Sequence, residues 1–121
     1  MRHAVLPRAL LALMLAACAG GAARQRALLP AMQLAWPGVR SDVVAAAPGP
    51  DVLSIADDMD SALAAGDPQL VALVPWPPLR DAATAGILAK EQAGLLGPGP
   101  AASLRERVAR FGDAYAHLVA R

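Results

Sequence analysis

The chain has 121 residues, with 11 Lys or Arg against 10 Asp or Glu, a formal balance of +1. That near-neutrality leaves no basic field for nucleic acid, and a single cysteine rules out an internal disulfide or a multi-thiolate metal site. Hydrophobic residues make up 56% but aromatics only 3%, so the apolar content is mostly Ala and Leu, which favours helix over strand.

The chain opens on Met1-Arg2-His3, with a second positive charge at Arg8, and runs from Ala9 to Ala17 in Ala, Leu and Met alone. A basic start, a short apolar stretch and small residues at a cut point are the three parts of a secretory signal. The apolar run falls short of the roughly 20 residues that a bilayer-spanning helix needs. Leu15-Ala16-Ala17-Cys18 then resembles the lipobox of bacterial lipoprotein precursors, a resemblance that covers Arg2 to Cys18 and no more. It implies that the signal is cut between Ala17 and Cys18, that the Cys18 thiol carries a diacylglyceryl group, and that the new amino terminus is acylated too, with palmitate-type chains. It also implies an outer-membrane address, because Ala19 rather than aspartate follows the cysteine. Two other readings of the stretch stand beside it. Ala17-Cys18-Ala19 also has the form of an ordinary secretory cleavage site, and Cys18 can be a chance residue in an apolar run.

Division at Cys18 gives a signal over 1–17, a small-residue tether over 18–23 and a domain over 24–121. The part from Cys18 onward carries nine basic and ten acidic residues, and the charge is uneven. Residues 41–70 hold six aspartates (Asp42, Asp51, Asp57, Asp58, Asp60 and Asp67) and no basic residue, whereas 101–121 holds four arginines. Once Cys18 is consumed no thiol remains, so the domain must hold together by packing alone.

Taken in chain order, Leu28, Leu29, Met32, Trp36, Val39 and Val43 recur every three or four residues and predict a first helix. Pro30 and Pro37 predict a kink in it, or two helices in sequence. After Pro48-Gly49-Pro50, Asp51 reads as the N-cap of a second helix with Val52, Ile55, Met59 and Leu63 on one face, closed by Gly66. Asp67-Pro68 reads as cap and first residue of a short helical turn carrying Leu70, Leu73 and Val74. Trp76-Pro77-Pro78 reads as a break, followed by a fourth helix on Leu79, Ala83, Ile87 and Leu88 that fades at Gly94. The last helix is predicted to begin near Ser103, where Ser103-x-x-Glu106 has the form of a capping box, with Leu104, Val108, Phe111, Tyr115 and Leu118 as its stripe. The sum is an all-α fold, a small antiparallel bundle of four to five short helices. Trp36-Pro37 and Trp76-Pro77 echo one another; coincidence in a chain with eleven prolines explains the echo better than duplication.

No arrangement in the sequence supports catalysis or metal binding. Asp57-Asp58-Met59-Asp60 lacks the glycine and closing glutamate of a calcium loop, and reads as a solvated face. His117 has no cysteine partner, and Ser103 lies 14 residues earlier on the same helix, about 20 Å away. Ser41, Ser54 and Ser61 lie in no nucleophile-elbow pattern. Trp36 and Trp76 are the candidates for a ligand or partner surface, although tryptophans at such positions more often belong to the core. The expectation is therefore a lipid-anchored, non-enzymatic helical module of the cell envelope. It would face the periplasm without a cofactor, and touch the membrane through its lipid and an envelope protein through its surface. The alternative is a small carrier or sensor for an apolar ligand held between helices.

Overall fold

The computed structural model describes the backbone of residues 2–120 and the side chains of residues 23–120. The signal segment, Ala17, Cys18 and all of the tether but Ala23 lie outside the described side chains. Five helices make up the fold, in the order α1 (Arg2–Ala45), α2 (Pro50–Ala65), α3 (Pro68–Leu73), α4 (Trp76–Gln92) and α5 (Pro98–Val119), with no strand among the described residues.

The direction of each helix follows from its cross-contacts. Gln25 bonds to Leu118 while Asp42 meets Arg107, so α1 and α5 run antiparallel. Gln33 bonds to Leu63 and Arg40 to Asp57, so α2 also runs against α1. Trp76 packs on Tyr115 and Lys90 reaches Asp42, which sets α4 parallel to α1 and antiparallel to α5. The expected antiparallel bundle is what forms, with α3 as a short crossing piece at the end where α5 finishes. Helices α1 and α4 make the central pair; α2 and α5 each pack on both of them and do not meet each other.

The helix starts differ from the sequence expectation in an instructive way. At α2 the cap is Gly49 in extended conformation, Pro50 is the first helical residue, and Asp51 sits in the first turn. Proline needs no N–H partner there and has its φ already set, so it takes the first position and moves the start two residues earlier. In the same way Trp76-Pro77-Pro78 is not a break but the first turn of α4. The largest displacement is at α5, which starts at Pro98 behind a Gly97 cap, so Ser103 is interior and no capping box forms. The Ser103 hydroxyl instead donates back to the Gly99 carbonyl at 3.3 Å. Asp67 does cap α3 as expected, accepting from the Gln69 N–H at 2.9 Å, and Gly66 closes α2 with φ 66°.

Helix α1 runs through Pro30 and Pro37 as one element. Each of these two prolines removes one backbone bond, and both stand on the exposed side of the helix. Its predicted stripe is buried from Leu29 to Val43, and those of α2 and α5 are buried or half-buried as read. The short α3 differs: Val71 and Val74 go inside while Leu70 and Leu73 face out. Leu88 of α4 is likewise exposed, and the buried position beside Ile87 belongs to Gly86.

Gly86 sets the distance between the central helices. A methyl group at that position would overlap the Asp42 carbonyl oxygen and come within 3.1 Å of the Ala46 nitrogen. Backbone on both sides leaves nothing flexible to yield, so only glycine permits this crossing. Gly86→Ala is expected to cost about 3 kcal/mol in urea denaturation, the upper range for overpacked cores. Gly99→Ala, where a methyl group meets nothing but the ring of the adjoining Pro100, is expected to cost less than Gly86→Ala, about 1 kcal/mol or below.

Candidate functional site

Two places bring unusual side chains together, one aromatic and one charged. At the aromatic place, Phe111 of α5 stands between the two tryptophans: its ring centre is 5.6 Å from Trp36 and 4.9 Å from Trp76, with tilted planes. Tyr115, one turn further along α5, lies 6.4 Å from Trp76. Both tryptophans are buried, and each shows only an edge to a separate surface cleft. Trp36 borders a shallow hollow of about 310 Å³ with Gln33, Asp60 and Leu63. Trp76 borders a larger one, about 510 Å³, between α4 and α5, with Val108, Tyr115 and Val119 on its walls and Arg80, Arg105 and Asp113 among its lining. The two candidates therefore share a core neighbour and not a pocket. Nor do their helix positions match: Trp36 is interior to α1, whereas Trp76 opens α4.

The Trp36 indole and the Tyr115 phenol each find a polar partner. Trp36 Nε1 donates to Asp60, whose other oxygen takes Arg40 Nε at 2.9 Å. Arg40 also reaches Asp57 at 2.9 Å, and these two carboxylates, Asp57 first, hold its guanidinium above its ordinary pKa. Two aspartates of the acidic run are thus satisfied by α1 rather than by the basic end of the chain. Gly112 makes room for the Trp76 ring, since a methyl group there would sit 2.8 Å from Nε1. The Tyr115 hydroxyl donates to the Val74 carbonyl at 2.6 Å, with the Ala72 carbonyl 3.2 Å away. These bonds tie the end of α5 to the α3–α4 connection.

The charged place was not visible in the sequence. Asp42 is only 1% exposed, and its carboxylate is held by Lys90 of α4 at 3.1 Å and Arg107 of α5 at 3.2 Å. Arg107 gets there by lying across Gly38, one turn before Asp42, where any side chain would collide with the guanidinium. Its Nε is buried without a hydrogen-bond partner. A second ion pair, Arg105 with Glu91, joins α5 directly to α4. The only hint in the sequence was the lone aspartate at the polar edge of an apolar stripe. Spacing cannot show which distant cations meet it.

The other residues weighed from the sequence are dispersed. His117 is exposed and its Nδ1 lies 2.7 Å from the Asp113 carbonyl of its own helix. Ser41, Ser54 and Ser61 are exposed, and Glu106 and Arg110 stand 4.0 Å apart on the outer face of α5. Among the described residues no three metal-ligating side chains come together, and no helix is long and apolar enough to cross a membrane. Comparison with protein-family models, with curated proteins and with solved structures finds no match to this chain.

Two measurements test these assignments. The double substitution Lys90→Met/Arg107→Met strands the Asp42 carboxylate and is expected to cost about 3–5 kcal/mol in urea denaturation, with Asp42→Asn recovering part of the loss. Burial raises the Tyr115 pKa above its ordinary value of about 10. The folded state therefore holds this proton more tightly than the unfolded chain does. The stability it lends is complete below pH about 10 and is lost as pH rises through the folded pKa. Phenolate absorbance of the single tyrosine should titrate above that of the urea-unfolded chain, and Tyr115→Phe should flatten the alkaline fall in stability.

Proposed function

We propose that this chain is the precursor of a bacterial lipoprotein and that its mature form is a helical module of the cell envelope. The signal ends at Ala17, Cys18 carries the lipid, and the bundle faces the periplasm from the outer membrane, acting by contact with an envelope protein rather than by catalysis. One pairing of observations carries the reading. The lipobox Leu15-Ala16-Ala17-Cys18 lies upstream of a bundle whose described core begins at Leu29 and whose first described long-range bond is made by Gln25. A cut before Cys18 therefore takes away none of the described packing. The dispersal of His117, the serines and the carboxylates supports a role in contacts rather than in chemistry.

The α4–α5 cleft favours the second reading, an apolar-ligand carrier or sensor, because its volume of about 510 Å³ and its Trp76, Val108 and Val119 walls suit a small apolar molecule. Tryptophan quenching by a panel of lipids and quinones, abolished by Trp76→Leu, would favour it over the first. The decisive measurement for the lipoprotein reading is the intact mass of protein extracted from membranes. The expected mass is that of residues 18–121 plus a diacylglyceryl group and an amide-linked chain. Cys18→Ser should leave the precursor uncut and without lipid; a wild-type product free of acyl chains overturns the reading.

A further inference from the structure

We infer that one end of the bundle, built from α3, the close of α5 and the α1 turn that carries Arg24, Gln25 and Arg26, rests on the bilayer holding the Cys18 lipid; this builds on the lipoprotein reading above. The Gln25 side chain donates to the Leu118 carbonyl at 3.4 Å, so α1 enters the bundle beside the end of α5. Cys18 lies seven residues before Gln25. Such a segment spans about 10 Å as helix and about 25 Å at full stretch. Helix α5, with 22 residues, is about 33 Å long. The tether is shorter than the bundle is tall, so the far end, which carries Leu95 between α4 and α5, cannot be turned onto the membrane.

The near end has the chemistry of an interface. Leu73 is 79% exposed, and Leu70 and Val119 are exposed with it. Leu73 and Val119 border a hollow of about 650 Å³ that Gln25, Pro68, Ala72 and Leu118 also line. Arg24 and Arg26 are exposed on the adjoining turn of α1. The carboxylate at the head of α3, Asp67, is already engaged by the Gln69 N–H. Leucines and valine enter the boundary between headgroups and acyl chains, and the two arginines meet anionic phosphates. A bilayer surface containing phosphatidylglycerol is the occupant that fits both.

Acylation turns the Cys18 thiol into a thioether, so in the lipidated protein an introduced cysteine is the only free thiol. Leu73→Cys, Leu95→Cys and Leu34→Cys, all at exposed positions, are each labelled with a fluorophore in the full lipidated chain. The labelled proteins are placed in vesicles of phosphatidylethanolamine and phosphatidylglycerol with brominated acyl chains. Quenching several-fold stronger at position 73 than at positions 95 and 34 is expected, with aqueous iodide giving the reverse order. Replacing Arg24 and Arg26 with glutamate should weaken the contrast. Equal quenching at all three positions, or the strongest at 34 as in a bundle lying on its side, overturns the inference while the lipid reading stands. Intact mass on the same floated sample separates the two: an unacylated protein overturns both.

Discussion

Contact between backbones at Gly86 is the constraint from which the rest of the bundle follows. With no side chain on α4 at the crossing, α1 and α4 approach until the Asp42 carbonyl touches the place a β-carbon would occupy. That approach buries the Asp42 side chain, and a buried carboxylate requires cations, which Lys90 and Arg107 supply from two further positions. Arg107 in turn needs the bare surface of Gly38 to lie across. Two glycines and one aspartate thus fix the spacing of three helices at one level. A chain rich in alanine and poor in aromatics has few other means of fixing a register, because small side chains interlock weakly.

The aromatic residues do the complementary work nearer the middle of the bundle. With one Phe, one Tyr and two Trp in the whole chain, all four meet around α5. Phe111 is the hub, Trp36 and Trp76 flank it, and Tyr115 extends the cluster to the α3–α4 connection. The charged level and the aromatic level are one helical turn apart on α5, at Arg107 and Phe111. Beyond them, Trp76 and Trp36 each border a separate surface cleft.

The all-α class, the helix number and most buried stripes were legible in the sequence because they depend on local periodicity. Met32, Trp36, Val39 and Val43 repeat at helical spacing and bury as read. Helix starts were legible only in part, since Pro50 and Pro77 read as punctuation but sit inside first turns, and Ser103 reads as a cap but lies inside a helix that starts at Pro98. The Asp42 cluster was not legible beyond the aspartate itself. Its members are 48 and 65 residues apart, and no pattern along the chain encodes which cation crosses to which acid. Gly86 was missed for a related reason: a glycine inside a helix looks like a weakness until the neighbour that needs the gap is known.

The order in which these contacts can form has a bearing on how such a chain is made. Arg40 finds Asp57 and Asp60 within 20 residues, and Gln33 finds Leu63 within 30. The α1–α2 hairpin can therefore form as soon as α2 has emerged. The bonds to Lys90, Arg107 and Leu118 wait on the last third of the polypeptide. A chain threaded from its amino terminus, through a ribosome or a protein-conducting channel, would hold one paired hairpin until α4 docks on α1, and would lack Arg107 and the aromatic hub until its final helix arrives. Half-made, it lacks the clamp that gives the finished bundle its single shape, and it stays pliable enough to be passed along.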